Sequence, residues 1–441
     1  MVPSSINAAL TQTTRGHFIF LDGDIMMKLS KLATAVAFVM AGSAAVAGEV
    51  EVLHWWTSGG EAKSVGELKK IMQGKGHTWR DFAVAGGGGD SAMTVLKSRV
   101  ISGNPPSAAQ TKGPAIQEWA SEGVLANMDT LAKAEKWDEL LPKVVADVMK
   151  YKGAYVAAPV NVHRVNWMWG SSEALKKAGV AAMPKTWDEF FAAADKLKAA
   201  GLVPVAHGGQ NWQDFTTFES VVLGVGGAKF YQDALVKLDS TALTSDTMKK
   251  SLETFRRIKG YTDPGAPGRD WNLATAMVIQ EKAAFQFMGD WAKGEFTAAG
   301  KVPGKDYICA AAPGTGNAYT FNVDSFAMFK LKDATAQKAQ GDLAAAIMGT
   351  EFQEVFNLNK GSIPVRAGQP MDKFDDCAKA SAKDFVDTAK SGGLVPSAAH
   401  GMAIAPATEG AIKDVVSQFW NDDKVSVADA MKKIAAAAKT K

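Results

Sequence analysis

The sequence predicts an α/β protein built from two lobes, with a mainly helical region at its C-terminal end. Strand and helix patterns alternate along most of the chain, which is typical of helices packed on largely parallel sheets. Two extended apolar stretches, Tyr155 to Asn161 and Tyr319 to Phe329, are expected to be the crossings between the lobes. Without residues 1–47 the chain is still long enough for two hydrophobic cores.

The first predicted strand, Glu49 to Leu53, leads into the most informative part of the sequence. Its residues alternate polar and apolar, which is the period of a half-buried strand. Trp55 and Trp56 follow directly, and Glu61 comes after two glycines. Since ligands of α/β sheets bind beyond the carboxyl ends of strands, we expect a site there. Indoles pack on the C–H faces of a sugar and a carboxylate accepts from its hydroxyls, so a carbohydrate suits this turn; burial of both indoles in a core is the alternative.

The remaining elements follow from periodicity and from helix start signals. Thr186 with Glu189 three positions later forms a capping box, and Pro114 suits the first turn of a helix. Beyond Thr335 the pattern is mostly helical. The predicted elements are helices at Glu61 to Met72, Ser91 to Ser102 and Phe215 to Gly224, and strands at Thr78 to Val84, Ala108 to Gln110, Leu202 to Ala206 and Ala283 to Met288.

The N-terminal region reads as an export signal. Met27 to Lys31 is a short cationic segment, and Leu32 to Val46 is apolar and rich in small residues. Ala47 ends a small-x-small pattern, so we expect cleavage there and a periplasmic protein that begins at Gly48. The apolar run is too short and too rich in alanine for a membrane span. Residues 1–26 read as an over-long start-site assignment or an expression leader.

The composition and the net charge argue against nucleic-acid binding and against a membrane-spanning protein. The formal net charge is +3 and the basic residues form no arm or tail, so nucleic-acid binding is not expected. No further segment reads as a membrane span, and a soluble monomer is expected. No cysteine lies at the cleavage site for lipid anchoring. In an oxidising compartment Cys309 and Cys377 could form one disulfide or remain as two buried thiols.

Motifs for common chemistries are not matched. The run Gly86 to Asp90 lacks the lysine of a phosphate loop and has Ser91 where a dinucleotide fingerprint needs glycine, so a flexible loop ahead of a helix is predicted. The histidines show no metal-ligand spacing, and no nucleophile elbow is found. No cofactor or metal is therefore expected.

Tryptophan is the residue type that stands out, with 12 in the chain. Trp271 follows a Gly- and Pro-containing segment and Trp291 follows Asp290, so both are expected in loops beside carboxylates rather than in periodic apolar runs. A saccharide cleft needs indoles to stack on ring faces and carboxylates to accept hydroxyl protons. These positions therefore join Trp55 and Trp56 as candidates.

Four segments together resemble the periplasmic sugar-binding proteins of ABC importers, in the two-lobed cluster that includes maltose-binding proteins. They occur in family order and span nearly all of the chain after the signal: His54 to Glu61, Pro184 to Phe190, Phe287 to Ala292 and Asn359 to Val365. The second and fourth recur throughout the cluster. The paired tryptophans before a glutamate are more similar to glucose-binding proteins of the Pseudomonas and Thermus type.

The resemblance implies a role for each candidate. Trp56 and Trp291 would sandwich the pyranose, while Trp55 and Trp271 would line the cleft. The polar ligands of the hydroxyls would be Glu61, Lys112, Asp324 and Lys360, with His400 closing the far side and Asp290 either binding or capping.

The resemblance also implies a periplasmic-binding-protein fold with hinge crossings. We expect an N-terminal lobe of residues 48–160 and 321–358 and a C-terminal lobe of residues 161–320 and 359–441. The expected ligand is glucose, with mannose or galactose as related hexoses, and the expected partner is the membrane permease of an ABC importer. Two alternatives remain: an exported carbohydrate-active enzyme using Glu61 with Asp290 or Asp324, and a receptor for an oligosaccharide or a phosphorylated solute.

Overall fold

The computed structural model describes residues 47–440. The signal segment and the upstream extension lie outside these residues, so the cleavage site stays a prediction. None of the helices within residues 47–440 has the length and apolar character needed to cross a bilayer.

The first sheet is built from five strands in the order β2-β1-β3-β13-β6. β1 pairs in parallel with β2 and β3, whereas β13 runs antiparallel to both β3 and β6. The strands are β1 (Glu49–His54), β2 (Thr78–Ala83), β3 (Ala108–Thr111), β6 (Ala157–Pro159) and β13 (Ser325–Met328).

A second sheet has the order β11-β8-β10-β9, and a third, smaller one has the order β14-β12-β7. β8 is antiparallel to both of its neighbours. Parallel pairing is limited to β1 with β2 and β3, β9 with β10, and β12 with β14, so the expectation of largely parallel sheets is wrong. The strands are β7 (His163–Arg164), β8 (Trp167–Ser171), β9 (Val203–Val205), β10 (Ala283–Phe287), β11 (Tyr307–Ala311), β12 (Tyr319–Asn322) and β14 (Leu394–Pro396), with β4 (Lys150–Tyr151) and β5 (Ala154–Tyr155) as a separate hairpin.

The chain passes between the first and third sheets twice, at neighbouring points. It leaves β6 for β7 through residues 160–162 and returns from β12 to β13 through residues 323–324. The two crossings are hydrogen-bonded to each other, because Val160 N donates to Asp324 O at 2.7 Å and Asp324 N donates to Asn161 Oδ1 at 3.1 Å. Asp324 therefore lies at the junction of the two lobes.

Helices cover the sheets. In the first half they are α1 (Gly59–Gly74), α2 (Asp90–Ile101), α3 (Pro114–Ser121), α4 (Asp129–Ala134), α5 (Trp137–Leu140), α6 (Lys143–Val148), α7 (Ser172–Lys177), α8 (Trp187–Ala199) and α9 (Asn211–Tyr231). In the second half they are α10 (Ser240–Leu243), α11 (Asp246–Lys259), α12 (Trp271–Ile279), α13 (Ala292–Ala298), α14 (Ala334–Met348), α15 (Thr350–Lys360), α16 (Asp376–Ser391), α17 (Pro406–Asn421) and α18 (Val427–Ala437). A short π-helix, Gln232–Val236, extends α9, which kinks at Gly227.

Local start signals read from the sequence are confirmed. The capping box of Thr186 and Glu189 opens α8, and Pro114 stands at the start of α3. Two expectations are wrong. Val50 to His54 are all buried, because Glu51 is neutralised by Arg99 at 2.7 Å, so β1 is not a half-buried strand. Trp271 lies in the first turn of α12 and not in a loop.

Separate apolar cores lie beside the first and second sheets. The first core includes Leu53, Phe326 and Phe356, and the second includes Phe218 and Phe255. The first core also contains residues that the sequence assigned to the C-terminal lobe, among them Ile363, Val365 and Phe374. The two cysteines form a disulfide between β11 and the start of α16, which settles the choice that the sequence left open.

Candidate functional site

The turn after β1 forms one wall of a cavity of about 360 Å³. β1 ends at His54, Trp55 and Trp56 follow, and α1 begins after Ser58 with Glu61 in its first turn. The strand end therefore presents both indoles and a carboxylate to the same space. Fourteen residues line the cavity: Trp55, Trp56, Glu61, Gly87, Gly88, Lys112, His163, Trp212, Trp271, Trp291, Asn322, Asp324, Lys360 and His400.

The cavity brings together nine of the ten candidates named from the sequence. Their chain positions are far apart, yet Trp55, Trp56, Glu61, Lys112, Trp271, Trp291, Asp324, Lys360 and His400 all line it. The tenth, Asp290, does not. It lies behind His163, accepts from Arg164 N at 2.9 Å and donates its own N–H to Arg164 O, so it holds β7 in place rather than lining the cavity.

Glu61 and Lys360 form a buried ion pair on the cavity wall. Lys360 is the last residue of α15, and Gly361, with φ +91°, ends that helix in the left-handed conformation. The Lys360 ammonium donates to Glu61 Oε1 at 2.5 Å, and the two side chains are 3% and 10% exposed. Each charge is thus compensated by the other away from bulk water.

His163 lies between two carboxylates. Its Nδ1 bonds Asp290 Oδ1 and its Nε2 bonds Asp324 Oδ2 at 2.9 Å. Burial alone would lower the pKa of His163, but the two carboxylates raise it above its usual value. Burial would likewise raise the pKa of Asp324, but His163, Lys360 and Lys112 lower it. The histidine is therefore a cation that keeps Asp324 ionised.

Two polar side chains of the cavity, Asn322 through its oxygen and Lys112 through its ammonium, have no hydrogen-bond partner within residues 47–440. Asn322 Oδ1 is buried and accepts no hydrogen bond from residues 47–440. Lys112 Nζ lies 5.2 Å from the centre of the Trp55 ring, and burial lowers the pKa of this ammonium while Asp324 and Glu409 oppose that shift. Buried polar atoms are nearly always hydrogen-bonded, so an orphaned acceptor on a cavity wall indicates a place for a ligand donor.

The aromatic walls come from both sides. Trp56 is 1% exposed and also packs on Phe326 and Phe356, with ring centroids 5.5 and 5.1 Å away. Trp291 meets the edges of His163 and His400, with centroids 5.2 and 4.8 Å apart. Trp56 is therefore both a core residue and a cavity residue, so the two readings of that indole were not exclusive.

Sequence reasoning missed five lining residues: Gly87, Gly88, His163, Trp212 and Asn322. The glycine run was read only as a loop before a helix. It lines the cavity because positive φ angles at Gly87 and Gly88 bring the backbone against the Trp212 ring, where a Cβ would lie 3.0–3.2 Å from its atoms. His163 directly follows the first crossing between the lobes, and this position could have marked it as a cavity residue.

The family described as bacterial extracellular solute-binding protein matches residues 68–361. A "Probable sugar-binding periplasmic protein" of Brucella suis biovar 1 (strain 1330) is 48% identical over 417 residues, covering 93% of this chain and 98% of its own. A protein of the same name from Rhizobium meliloti (strain 1021) is 48% identical over 399 residues, covering 90% and 96%.

The chain belongs to the bacterial extracellular solute-binding proteins. Among solved structures, a chitin oligosaccharide binding protein matches with a TM-score of 0.75 at 19% identity, over 89% of this chain and 98% of the other. That likeness confirms the two-lobed solute-binding-protein fold predicted from the sequence. The family match begins after Glu61 and ends before His400, so this solute-binding protein carries part of its cavity outside the matched segment.

Proposed function

We propose that the protein binds one pyranose sugar, glucose first among hexoses, in the periplasm and delivers it to the permease of an ABC importer. The observation that carries the proposal is the single cavity that combines five indoles with ionised groups and the orphaned Asn322 oxygen. The relatives named as sugar-binding periplasmic proteins support the same ligand class.

In this proposal, Trp56 and Trp291 contact the faces of the ring, while Trp55 and Trp271 bound its edges. Glu61, Asp324 and Asn322 accept hydrogen bonds from hydroxyls, and Lys112 and Lys360 donate them. A monosaccharide has few atoms, so useful affinity requires that nearly every hydroxyl meets a preplaced partner. His400 completes the far wall.

The charge arrangement favours a neutral ligand. The Glu61 and Lys360 charges cancel, and His163 stands between Asp290 and Asp324. Lys112 is the one lining cation, among residues 47–440, without a side-chain hydrogen bond, and Asp324 still acts on it. A phosphorylated solute would bring about two negative charges to a cavity that offers no such surplus of cations.

Binding also fits the site better than hydrolysis of a glycosidic bond. A glycosidase needs one carboxyl group that stays protonated as a general acid. Asp324, one of the carboxyls proposed for that reading, has a lowered pKa and stays ionised beside His163. Asp290 does not line the cavity. Sustained release of products from oligosaccharides, abolished by Glu61→Gln, would contradict the proposal of a binding protein.

Lobe closure would couple binding to transport. The ligand would contact residues on both sides of the two crossings, for example Glu61 and His400, so these contacts form together only when the lobes are closed. A ligand that binds one conformation better shifts the population toward it, and a permease could recognise that form.

Calorimetry against glucose, galactose, mannose and xylose, with tryptophan fluorescence followed in parallel, tests the proposal. We expect saturable one-to-one binding of at least one hexose and a fluorescence change, because five indoles line the cavity. The Trp271→Phe variant should change the fluorescence response and weaken binding. Absence of binding by every monosaccharide would overturn the proposal.

One observation favours a larger ligand as the second candidate. An open chamber adjoins the cavity and shares Trp55, Gly88, Lys112 and His400 with it. Glu409 also lines this chamber, where burial raises the pKa of its carboxyl. Competition of disaccharides such as maltose against glucose separates the candidates. A disaccharide that binds more tightly than glucose and loses affinity in Glu409→Gln would favour an oligosaccharide receptor.

A further inference from the structure

A buried carboxylate on α9 lies outside the cavity but contacts the segment that enters it. Glu219 is fully buried, and no ion pair is formed to it within residues 47–440. Four neutral donors converge on its two oxygens. Oε1 accepts from Ser397 Oγ at 2.7 Å, while Oε2 accepts from Tyr231 OH at 2.7 Å and from the backbone N–H groups of Ala398 and Ala399 at 2.9 and 3.1 Å.

Three of these donors belong to consecutive residues that immediately precede His400. Tyr231 OH lies also 3.0 Å from Pro396 O, so the whole turn is held against α9. The next residue is His400, whose ring lies between Trp212 and Trp291 with centroid distances of 5.8 and 4.8 Å. The position of His400 on the cavity wall therefore depends on the turn that Glu219 holds.

α9 contacts the site through one face. Trp212, Thr216 and Glu219 are spaced i, i+4 and i+7, so they lie on the same side of the helix. Trp212 lines the cavity, Thr216 bonds the His400 ring and Glu219 binds the turn. α9 thus supports one wall of the cavity at three positions along its length.

The hydrogen bonds also define the His400 tautomer. Thr216 Oγ1 lies 2.8 Å from Trp212 O, to which it donates its single proton, and 2.9 Å from His400 Nε2. With that proton committed to Trp212 O, we assign the ring proton to Nε2 as the donor to Thr216, which leaves Nδ1 as an acceptor. Burial, together with Lys112 and His163, holds the pKa of His400 well below its usual range, so the ring is neutral.

We propose that Glu219 is a positioning residue of the ligand site: by binding Ser397, Ala398 and Ala399 it fixes His400 as an oriented acceptor for a ligand hydroxyl. The inference rests on the proposed sugar-binding function for its ligand, but the contacts that carry it belong to the protein alone.

The geometry requires a carboxylate in particular. Four donors point at two oxygens, which an ionised carboxylate accepts without any proton of its own. A glutamine at this position, or a protonated Glu219, would place a donor beside Ser397 Oγ or Tyr231 OH. One of these hydroxyls must then turn its proton to another acceptor, as Tyr231 can to Pro396 O at 3.0 Å, and a hydrogen bond between Glu219 and the turn is lost. Burial raises the pKa of Glu219 to about 7, although the four hydrogen bonds oppose the shift. Acidification below that value therefore loosens the turn.

Within this hydrogen-bond network, Glu219 is the group that changes its protonation near neutral pH. Tyr231, which faces it from the end of α9, has a pKa raised well above its usual value by burial and by Glu219 itself, so it stays protonated. Ser397 and the two backbone amides of the turn carry no charge, and His400 is neutral. The charged groups that act on His400 are Lys112, His163, Asp324 and Lys413.

The test combines Glu219→Gln with a pH series of sugar titrations by calorimetry from pH 5.5 to 8.5. We expect the native protein to lose affinity as the pH falls through about 7. Glu219→Gln should bind about tenfold more weakly at pH 8, the effect of one lost buried hydrogen bond, and should have lost this pH dependence. The fully buried Phe255→Leu serves as a control that weakens the same lobe and should keep both the affinity and the pH profile.

Two further measurements keep the test decisive. In a double-mutant cycle with His400→Ala, the two effects on affinity should not add, since both act through one ring. Nitrogen chemical shifts of His400, measured without ligand, should report a protonated Nε2 in the native protein and a mixture of tautomers in Glu219→Gln. If Glu219→Gln fails to fold, Ser397→Ala removes one donor and should give a smaller change in the same direction.

Two outcomes separate the inference from the proposed function. If the native protein binds no sugar, the proposed function fails, while the His400 shifts still test the positioning role. If sugar binds, and Glu219→Gln is destabilised but keeps native affinity, native pH profile and native His400 shifts, then Glu219 only supports the fold and the inference is overturned.

Discussion

The ammonium of Lys360 lies 2.5 Å from the Glu61 carboxylate, although the two residues are 299 positions apart. Each stands at the end of a helix, Glu61 in the first turn of α1 and Lys360 in the last turn of α15. Negative charge is favourable at a helix N-terminus and positive charge at a C-terminus, so both helices stabilise the pair. The pair thus presents one acceptor and one donor to the cavity in a fixed geometry.

Replacing one partner of this pair should impair both folding and binding. We expect Glu61→Gln to lower the free energy of unfolding by about 3–5 kcal/mol, because Lys360 is left buried without a counter-charge. Denaturant unfolding measures this change, and calorimetry with sugar measures the accompanying loss of affinity. The double variant Glu61→Gln with Lys360→Met should regain stability without regaining affinity. Glu67→Gln, a more exposed site on the same helix, is the control and should change neither quantity.

Trp56 has two roles that one substitution can separate. Trp56→Ala should reduce the free energy of binding by about 1–3 kcal/mol through lost contact with the sugar ring. It should also reduce the free energy of unfolding by about 3–5 kcal/mol, since the indole packs on Phe326 and Phe356. Trp137→Ala removes a fully buried indole of the same core that does not line the cavity. It should cost stability but leave the affinity unchanged; unchanged affinity in Trp56→Ala would instead make Trp56 a core residue only.

The sequence predicted those parts of the candidate site that local patterns mark. Trp55, Trp56 and Glu61 are found from a strand followed by aromatic residues and a helix start, which is a short-range arrangement. Lys112 and His400 came from the family resemblance instead. The α/β class and the crossings could be predicted because strand length and apolar content are local properties.

Other features depend on contacts that are distant in sequence. The burial of β1 requires Arg99 to neutralise Glu51, and no periodicity in residues 49–53 contains that information. The direction of β8 and β13 is set by the path of the chain between the lobes, so the sheets are more antiparallel than predicted. His163 is held between Asp290 and Asp324, which lie 127 and 161 residues further along the chain. From the sequence alone, Trp212 is an ordinary residue of α9. Only the structure shows that its ring lies against Gly87 and Gly88.

His163 should make the stability and the sugar affinity of the protein decrease at alkaline pH. Its pKa is raised in the folded state above the ordinary value of 6.5, because Asp290 and Asp324 outweigh the effect of burial. A raised histidine pKa contributes stability that is fully present below 6.5 and is lost as the pH rises through the folded-state value. Unfolding free energies and sugar affinities should therefore decrease on the alkaline side of neutrality, and His163→Gln should remove that decrease. His77→Gln breaks a histidine–carboxylate contact outside the cavity and should keep it; an identical alkaline profile in His163→Gln would contradict the assignment.

The disulfide should stabilise the fold without taking part in binding. Cys309 on β11 and Cys377 at the start of α16 are 68 residues apart, and neither lines the cavity. Closing a loop of this length removes chain entropy worth up to about 4 kcal/mol from the unfolded state. The double variant Cys309→Ser with Cys377→Ser should lower the free energy of unfolding by up to that amount while sugar affinity stays native. Reduction of the native protein should have the same effect and should leave the double variant unchanged. A loss of affinity equal to the loss of stability would show instead that α16, which bonds Arg164 through Asp384 at 2.6 Å, transmits the constraint to the neighbouring His163.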